Sequence, residues 1–334
     1  MSLGAILDYL VFVMKPLVFS FLLMGCLSAT GFAQKKAPEE VLPPGIIKES
    51  YTTRRKGSTD VTLYLRYPST GKDNIKGVVA VCTPGGRGLA VHLAGDSRHF
   101  GYLLQFADKH RLALVAFGPQ GRGWDRTKNS DMLSTRDAAA QNKVLDGLAR
   151  DLSRSIDRFA KKYEIPANGW LLYGLCGGAQ YAHRVALREP QHFQAVHVHY
   201  GGSYDVPTPE GKSINWLVTS HADEPAYIAA QRFYRQCKEM DYRMILKGYT
   251  RKSAPEEYDP QIAYTGPTKL QKLSLDFFEH VLNDKGPVDM EQAYIADFVN
   301  GLVVPAKKGE WIPKSQAVVL PTRKLAEAWG SISE

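Results

Sequence analysis

Trp170-Leu171-Leu172-Tyr173-Gly174-Leu175-Cys176-Gly177-Gly178-Ala179-Gln180 decides how this 334-residue chain folds. Its first six residues form an apolar run of the length and composition of a strand buried on both faces. The run breaks at Gly-Leu-Cys-Gly-Gly and continues into a helix-compatible segment. Glycines on both sides of one reactive side chain tolerate the close backbone approaches of a sharp strand-to-helix turn, which pushes the middle residue, Cys176, into the open.

Outward from that corner, strands alternate with helices. Val61 to Tyr67 alternates apolar and polar residues and, with Ile46 to Thr53 across Gly57-Ser58, predicts an antiparallel start to a sheet. Gly77 to Cys82 and Leu112 to Phe117 are short apolar runs suited to the interior of a parallel sheet, separated by a helix around Tyr102 to Lys109. Leu145, Leu148, Leu152, Ile156 and Phe159 recur at steps of three and four, the stripe of a long amphipathic helix that leads into the Cys176 strand. Strands then follow at Ala195 to Tyr200, Ile214 to Val218 and Tyr242 to Leu246, with helices from Ala226 to about Met240 and through Leu273 to Leu282. This order predicts one α/β domain over residues 48–285, a doubly wound, mostly parallel sheet with an antiparallel N-terminal edge. Residues 286–334 lose the alternation, but Tyr294, Phe298, Trp311 and Trp329 predict an extension packed on the domain.

The N-terminus differs in kind. Lys15 precedes the apolar run Leu17 to Met24, and small residues lead to Gly31-Phe32-Ala33, the pattern of a secretory signal peptide over residues 1–33, with translation starting at Met1 or at Met14. Export to the periplasm or outside the cell is the expectation. Lipid anchoring at Cys26 is the alternative, because Leu23-Met24-Gly25-Cys26 is similar to a bacterial lipobox. Residues 34–47, with Pro38, Pro43 and Pro44 among charges, read as a linker. No other segment is long and apolar enough for a membrane span. The net charge of +8 is spread along the chain and carries no zinc-finger, basic-zipper or aromatic RNA-binding pattern, so nucleic acid is not an expected partner. No cofactor motif and no metal-ligand spacing stands out. Beyond the signal, three cysteines remain, Cys82, Cys176 and Cys237, so at least one thiol is free or pairs with another molecule.

The Cys176 corner and the strand order together resemble the α/β-hydrolase superfamily over roughly residues 48–283. Gly-Leu-Cys-Gly-Gly-Ala followed by Tyr181-Ala182-His183-Arg184 is similar to its secreted esterase and depolymerase-like branch, and a cysteine as nucleophile resembles dienelactone hydrolases. The resemblance implies that Cys176 sits on a nucleophile elbow. It implies an oxyanion hole built from the N–H of Gly177 and a second N–H from Cys82-Thr83-Pro84-Gly85-Gly86-Arg87-Gly88, at Gly85 or Gly86. Pro84 stands where the corresponding esterase loop has a histidine. The acid maps to Asp223 in Ser220-His221-Ala222-Asp223-Glu224-Pro225, with Asp205 as substitute.

The base breaks the pattern. The resemblance puts a histidine after the last core strand, but Tyr249 to Asp259 contains none, and His280 falls inside a predicted helix. His199, ending the strand after the elbow, and His221, beside the expected acid, are the candidates that reach the carboxyl edge of the sheet, where open α/β folds bind ligands. His92, His99, His110 and His183 read as structural. A thiol of ordinary pKa is only about a few per cent ionised near neutral pH, but a helix N-terminus favours the thiolate, so cysteine keeps some nucleophilicity where a serine without its base would not. Trp124, in Gly121-Arg122-Gly123-Trp124-Asp125, is the candidate for lining a substrate pocket. Strands ending at Cys82 and Cys176 are expected as neighbours, which raises a disulfide between them as a way of blocking the nucleophile.

Two functions follow. One is an exported hydrolase of a small-molecule, polymer or carbohydrate ester acting through Cys176. The other is a binding protein that keeps the cleft and has lost the chemistry. An inert buried thiol in an ordinary glycine turn is the competing reading of the corner itself.

Overall fold

Strand Trp170–Leu175 lies at the centre of an eight-stranded sheet. A computed structural model of the chain describes residues 41–52, 61–82, 101–118, 138–257, 267–283 and 286–332, the last five of which run within one unit spanning residues 42–334. The strands are β1 (Ile46–Tyr51), β2 (Val61–Arg66), β3 (Gly77–Cys82), β4 (Leu112–Phe117), β5 (Trp170–Leu175), β6 (Phe193–His199), β7 (Asn215–His221) and β8 (Arg243–Tyr249). Their order across the sheet is β1-β2-β4-β3-β5-β6-β7-β8. β1 and β2 pair antiparallel, β2 joins β4 antiparallel, and every later pairing is parallel. The doubly wound sheet with an antiparallel N-terminal edge is therefore present.

Helices cover both faces, which is why β3 and β4 are apolar without alternation: all their residues are buried. The helices are α1 (Gly101–His110), α2 (Ala138–Tyr163), α3 (Gly177–Arg188), α4 (Pro225–Glu239), α5 (Lys269–Asn283) and α6 (Arg323–Gly330). Side-chain alternation along the strands assigns them to layers. Tyr173 meets Tyr102 of α1, and His197 bonds Ser274 of α5. Gly174, on the opposite face, lies against α3, and Gly248 lies against Tyr227 of α4. Leu152, Ile156 and Phe159 of α2 are buried, as their spacing predicts.

The strands run further than propensity suggests. β7 continues through Ser220 to His221, and β8 through Lys247 to Tyr249, because each residue keeps its ladder partner: Thr219 with Lys247 and His221 with Tyr249. Two side chains that read as loop residues are thereby fixed on the rigid sheet edge.

Residues 294–320 add a second antiparallel sheet, β9 (Tyr294–Asp297), β10 (Val303–Pro305) and β11 (Ala317–Leu320), in the order β10-β9-β11. The indole N–H of Trp329 in α6 donates to the Leu246 carbonyl at 2.8 Å, and Lys247 Nζ sits 3.6 Å above the centre of the same ring. Among the described residues no helix is long and apolar enough to cross a membrane.

Candidate active site

The elbow exists because of one glycine and one strained residue. A Cβ at Gly174 would come within 2.7 Å of both the Ala179 Cα and the Ala182 Cβ, so only glycine lets α3 fold back this tightly onto β5. Cys176 holds φ 55° and ψ −120°, a conformation that costs a non-glycine residue of order 1–3 kcal/mol and is found where the surroundings enforce it. They do so through its backbone: the Cys176 N–H donates to the His199 carbonyl at 2.9 Å, and its own carbonyl accepts from Ala179 N–H at 3.0 Å. The side chain is half-buried and a free thiol at the start of α3. The Gly177 N–H, first of the helix, has no acceptor among the described residues and remains available to an anion.

The expected neighbours of Cys176 separate into two groups. His199 faces inward. Its Nδ1 lies 2.6 Å from Tyr173 Oη and its Nε2 3.0 Å from Tyr249 Oη, so a neutral ring donates to one tyrosine and accepts from the other. His197 stacks parallel to it at 5.6 Å, bonded in turn to Ser274 and Thr219. With both nitrogens taken and the residue buried, His199 belongs to a polar layer beneath the elbow.

His221 lies at the carboxyl edge instead. Its ring packs on Tyr200 at 4.5 Å and on Tyr249 at 4.6 Å between centroids, and its Nδ1 is 3.9 Å from Glu224 Oε1. Glu224 is oriented by Tyr200, whose hydroxyl donates to Oε2 at 2.6 Å. Tyr200 has φ 59°, the second strained non-glycine residue to follow directly after a central strand. Burial holds the His221 imidazole below its ordinary value, with Glu224 and Asp223 opposing, so the ring is neutral near pH 7 and able to accept a proton. Cys176 and His221 stand at the ends of strands two places apart, roughly 10 Å between backbones, with Tyr200 between them.

Asp223 is exposed and makes no hydrogen bond or ion pair among the described residues. The adjacent Glu224 is the carboxylate that faces a histidine. Asp205, the substitute, is held by Arg184 Nε at 3.0 Å and Arg188 Nη1 at 2.7 Å, and its backbone N–H donates to His183 Nε2. Burial disfavours its charge, but the two arginines outweigh that and keep its carboxyl below the usual range. It pins the loop after β6 to α3. His183 is fully buried, and burial lowers its pKa to about 3.

The Cys82–Cys176 disulfide is absent: all three described cysteines are free. Cys82 pairs in the ladder with Gly174, two residues before the elbow, and is buried within the sheet, where burial pushes its thiol up. Gly85, Gly86, Trp124, His92 and His99 lie outside the described residues, as do residues 1–33, where a leader with Cys26 is expected, and the first half of the expected linker, residues 34–40. The neighbours of His221 that the sequence did not single out are Tyr200, Glu224 and Tyr249. Tyr200 and Glu224 closely follow strands whose carboxyl ends were expected at the site, and that position was their only signal.

No protein-family model matches the chain, and no curated protein matches it in sequence. Solved structures match in shape. A thermostable esterase aligns with 72% of this chain at 13% identity and a TM-score of 0.53; the alignment takes in 63% of the esterase, so the chain spans less than two thirds of its length. An S-formylglutathione hydrolase from Agrobacterium tumefaciens aligns over 72% of this chain and 95% of its own, at 13% identity and TM-score 0.48. A dienelactone hydrolase-like phosphotriesterase from metagenomic libraries gives 72%, 97%, 16% and 0.46. The sheet order, the elbow and the first of these similarities together define the α/β-hydrolase fold.

Proposed function

We propose that this protein is an exported hydrolase that cleaves an ester of a small molecule, polymer or carbohydrate, with Cys176 as nucleophile, His221 as base and Glu224 as the carboxylate that orients it. The observation that carries this reading is the pairing, on one sheet edge, of a free thiol on a strained elbow with a neutral histidine backed by a carboxylate. The thermostable esterase agrees with it in fold.

In the reaction, the Cys176 sulfur attacks the acyl carbonyl as its proton passes to His221. The carbonyl oxygen takes up negative charge against the Gly177 N–H. Collapse of the adduct releases the alcohol, which takes its proton from His221, and leaves a thioester. A water molecule, deprotonated by His221, then attacks the thioester, releasing the acid and restoring the thiol. Tyr200 fixes Glu224, and Glu224 favours the protonated ring that forms midway.

A second reading, a binding protein on the hydrolase scaffold, is favoured by one observation: no described side chain hydrogen-bonds to the Cys176 sulfur. Catalytic hydrogen bonds are often long in a ligand-free site and tighten around substrate. Turnover of p-nitrophenyl acetate by wild type, lost in Cys176→Ala and reduced at least 100-fold in His221→Gln, supports the hydrolase; equal background rates in all three support the binder.

A further inference from the structure

At the opposite end of β7 and β8, Asn215 and Arg243 open these strands, six residues from His221 and Tyr249, or roughly 20 Å from the catalytic edge. A cavity of about 220 Å³ lies there, enclosed by β8, the ends of α4 and α5 and the strand β11. Trp216, Ile245, Phe277 and Val319 give it an apolar side, and Asn215 and His280 join its lining. A shallower depression of about 670 Å³ shares Lys238, Tyr242 and Val319 with it and adds Arg235 and Lys314.

The charges around this cavity are lopsided. Lys238 and Arg243 line it, and neither side chain makes a hydrogen bond or ion pair among the described residues. Lys238 is half-buried, and burial holds its ammonium below the usual lysine range, with Asp241 opposing. Of the acids nearby, Glu239 and Asp241 line only the shallower depression, and Asp241 already pairs with Lys212 at 3.4 Å. Among the described residues the inner cavity has no carboxylate in its lining. A half-buried ammonium with no hydrogen-bonded carboxylate among the described residues, beside a partly apolar chamber, is complementary to an anion that carries an apolar body. The volume lies below the roughly 300–1,000 Å³ of drug-sized sites, which limits that body to a short chain or a single ring.

We infer that the amino-edge cavity is a binding site for a small apolar carboxylate, whose carboxyl group pairs with Lys238 and Arg243 while its body enters between Trp216, Phe277 and Val319. The site is independent of the chemistry proposed for Cys176.

The test is calorimetric titration of the full protein, with Cys176 alkylated by iodoacetamide, using phenylacetate and its uncharged counterpart 2-phenylethanol. Phenylacetate is expected to bind at least tenfold more tightly than the alcohol. Its affinity should fall at least tenfold in Lys238→Gln/Arg243→Gln and vanish in Val319→Trp, which fills the cavity and leaves the charges in place. Thermal unfolding confirms that each variant is folded, and the methyl signals of Met244 and Met290, both lining the cavity, should shift with phenylacetate in wild type only. Equal binding of acid and alcohol, unchanged affinity in either folded variant, or no binding of phenylacetate at millimolar concentration overturns the inference.

Discussion

Glu224 Oε1 lies 3.9 Å from His221 Nδ1, while Asp223, one residue earlier, is turned to solvent. The two adjacent carboxylates therefore have different consequences. Glu224→Gln removes a charge that favours the protonated ring and should lower kcat about tenfold or more; Asp223→Asn should stay within about twofold of wild type. A kinetic comparison of the two variants checks the assignment.

The same pair sets a pH dependence. Burial already lowers the His221 pKa and Glu224 partly offsets it, so Glu224→Gln lowers it further. The base then stays neutral to more acidic pH. The acid limb of the kcat/KM profile should move to lower pH in Glu224→Gln, and a shift to higher pH would contradict the arrangement.

Gly174→Ala probes the elbow. The added methyl would meet the backbone of Ala179 at 2.7 Å, which no side-chain rotation relieves. Overpacking of this kind costs about 1–3 kcal/mol, and here the upper end or more is expected. Urea unfolding measures it.

How far the chain could be read follows from which interactions are local. The elbow was legible because its glycines and its strand-to-helix switch lie within eleven consecutive residues, and the sheet because β3 and β4 are uniformly apolar and the strands alternate with helical stretches. Choosing between Asp223 and Glu224 was not possible from sequence: it depends on β7 continuing to His221, which the ladder with Tyr249 enforces from 28 residues away. His199 shows the same limit. Its place at a strand end was legible, but its ring is claimed by Tyr173 and Tyr249, residues 26 and 50 positions distant. Asp205 looked like a spare acid because Arg184 and Arg188, which neutralise it, lie on a different element.

Asp205→Ala should destabilise by about 3–5 kcal/mol, since it leaves two largely buried guanidinium groups without their shared partner; Asp146 retains part of Arg188. The pH dependence has a definite sign. The carboxyl is lower in the folded protein than its ordinary value of 3.8, so its contribution is complete above that value and is lost as pH falls through the folded pKa. The stability difference between wild type and Asp205→Ala should therefore shrink below about pH 4 in chemical denaturation.

Lys247 has the opposite dependence. Burial lowers its pKa to about 7, whereas the unfolded chain holds that proton until about pH 10.4. Between these values the unfolded state binds the extra proton, so this group alone makes stability rise with pH, by at most about 1.4 kcal/mol per unit. Subtracting the curve of Lys247→Met from that of wild type should reveal this slope.

Trapping of the acyl-enzyme tests the central claim most directly. Wild-type protein is mixed with p-nitrophenyl acetate, quenched in acid within the first turnovers, digested and mapped by mass spectrometry. An acetyl group on the peptide containing Cys176, absent from Cys176→Ala together with turnover, is the predicted result. Undiminished hydrolysis by Cys176→Ala, or acetylation elsewhere with Cys176 unmodified, would contradict the account.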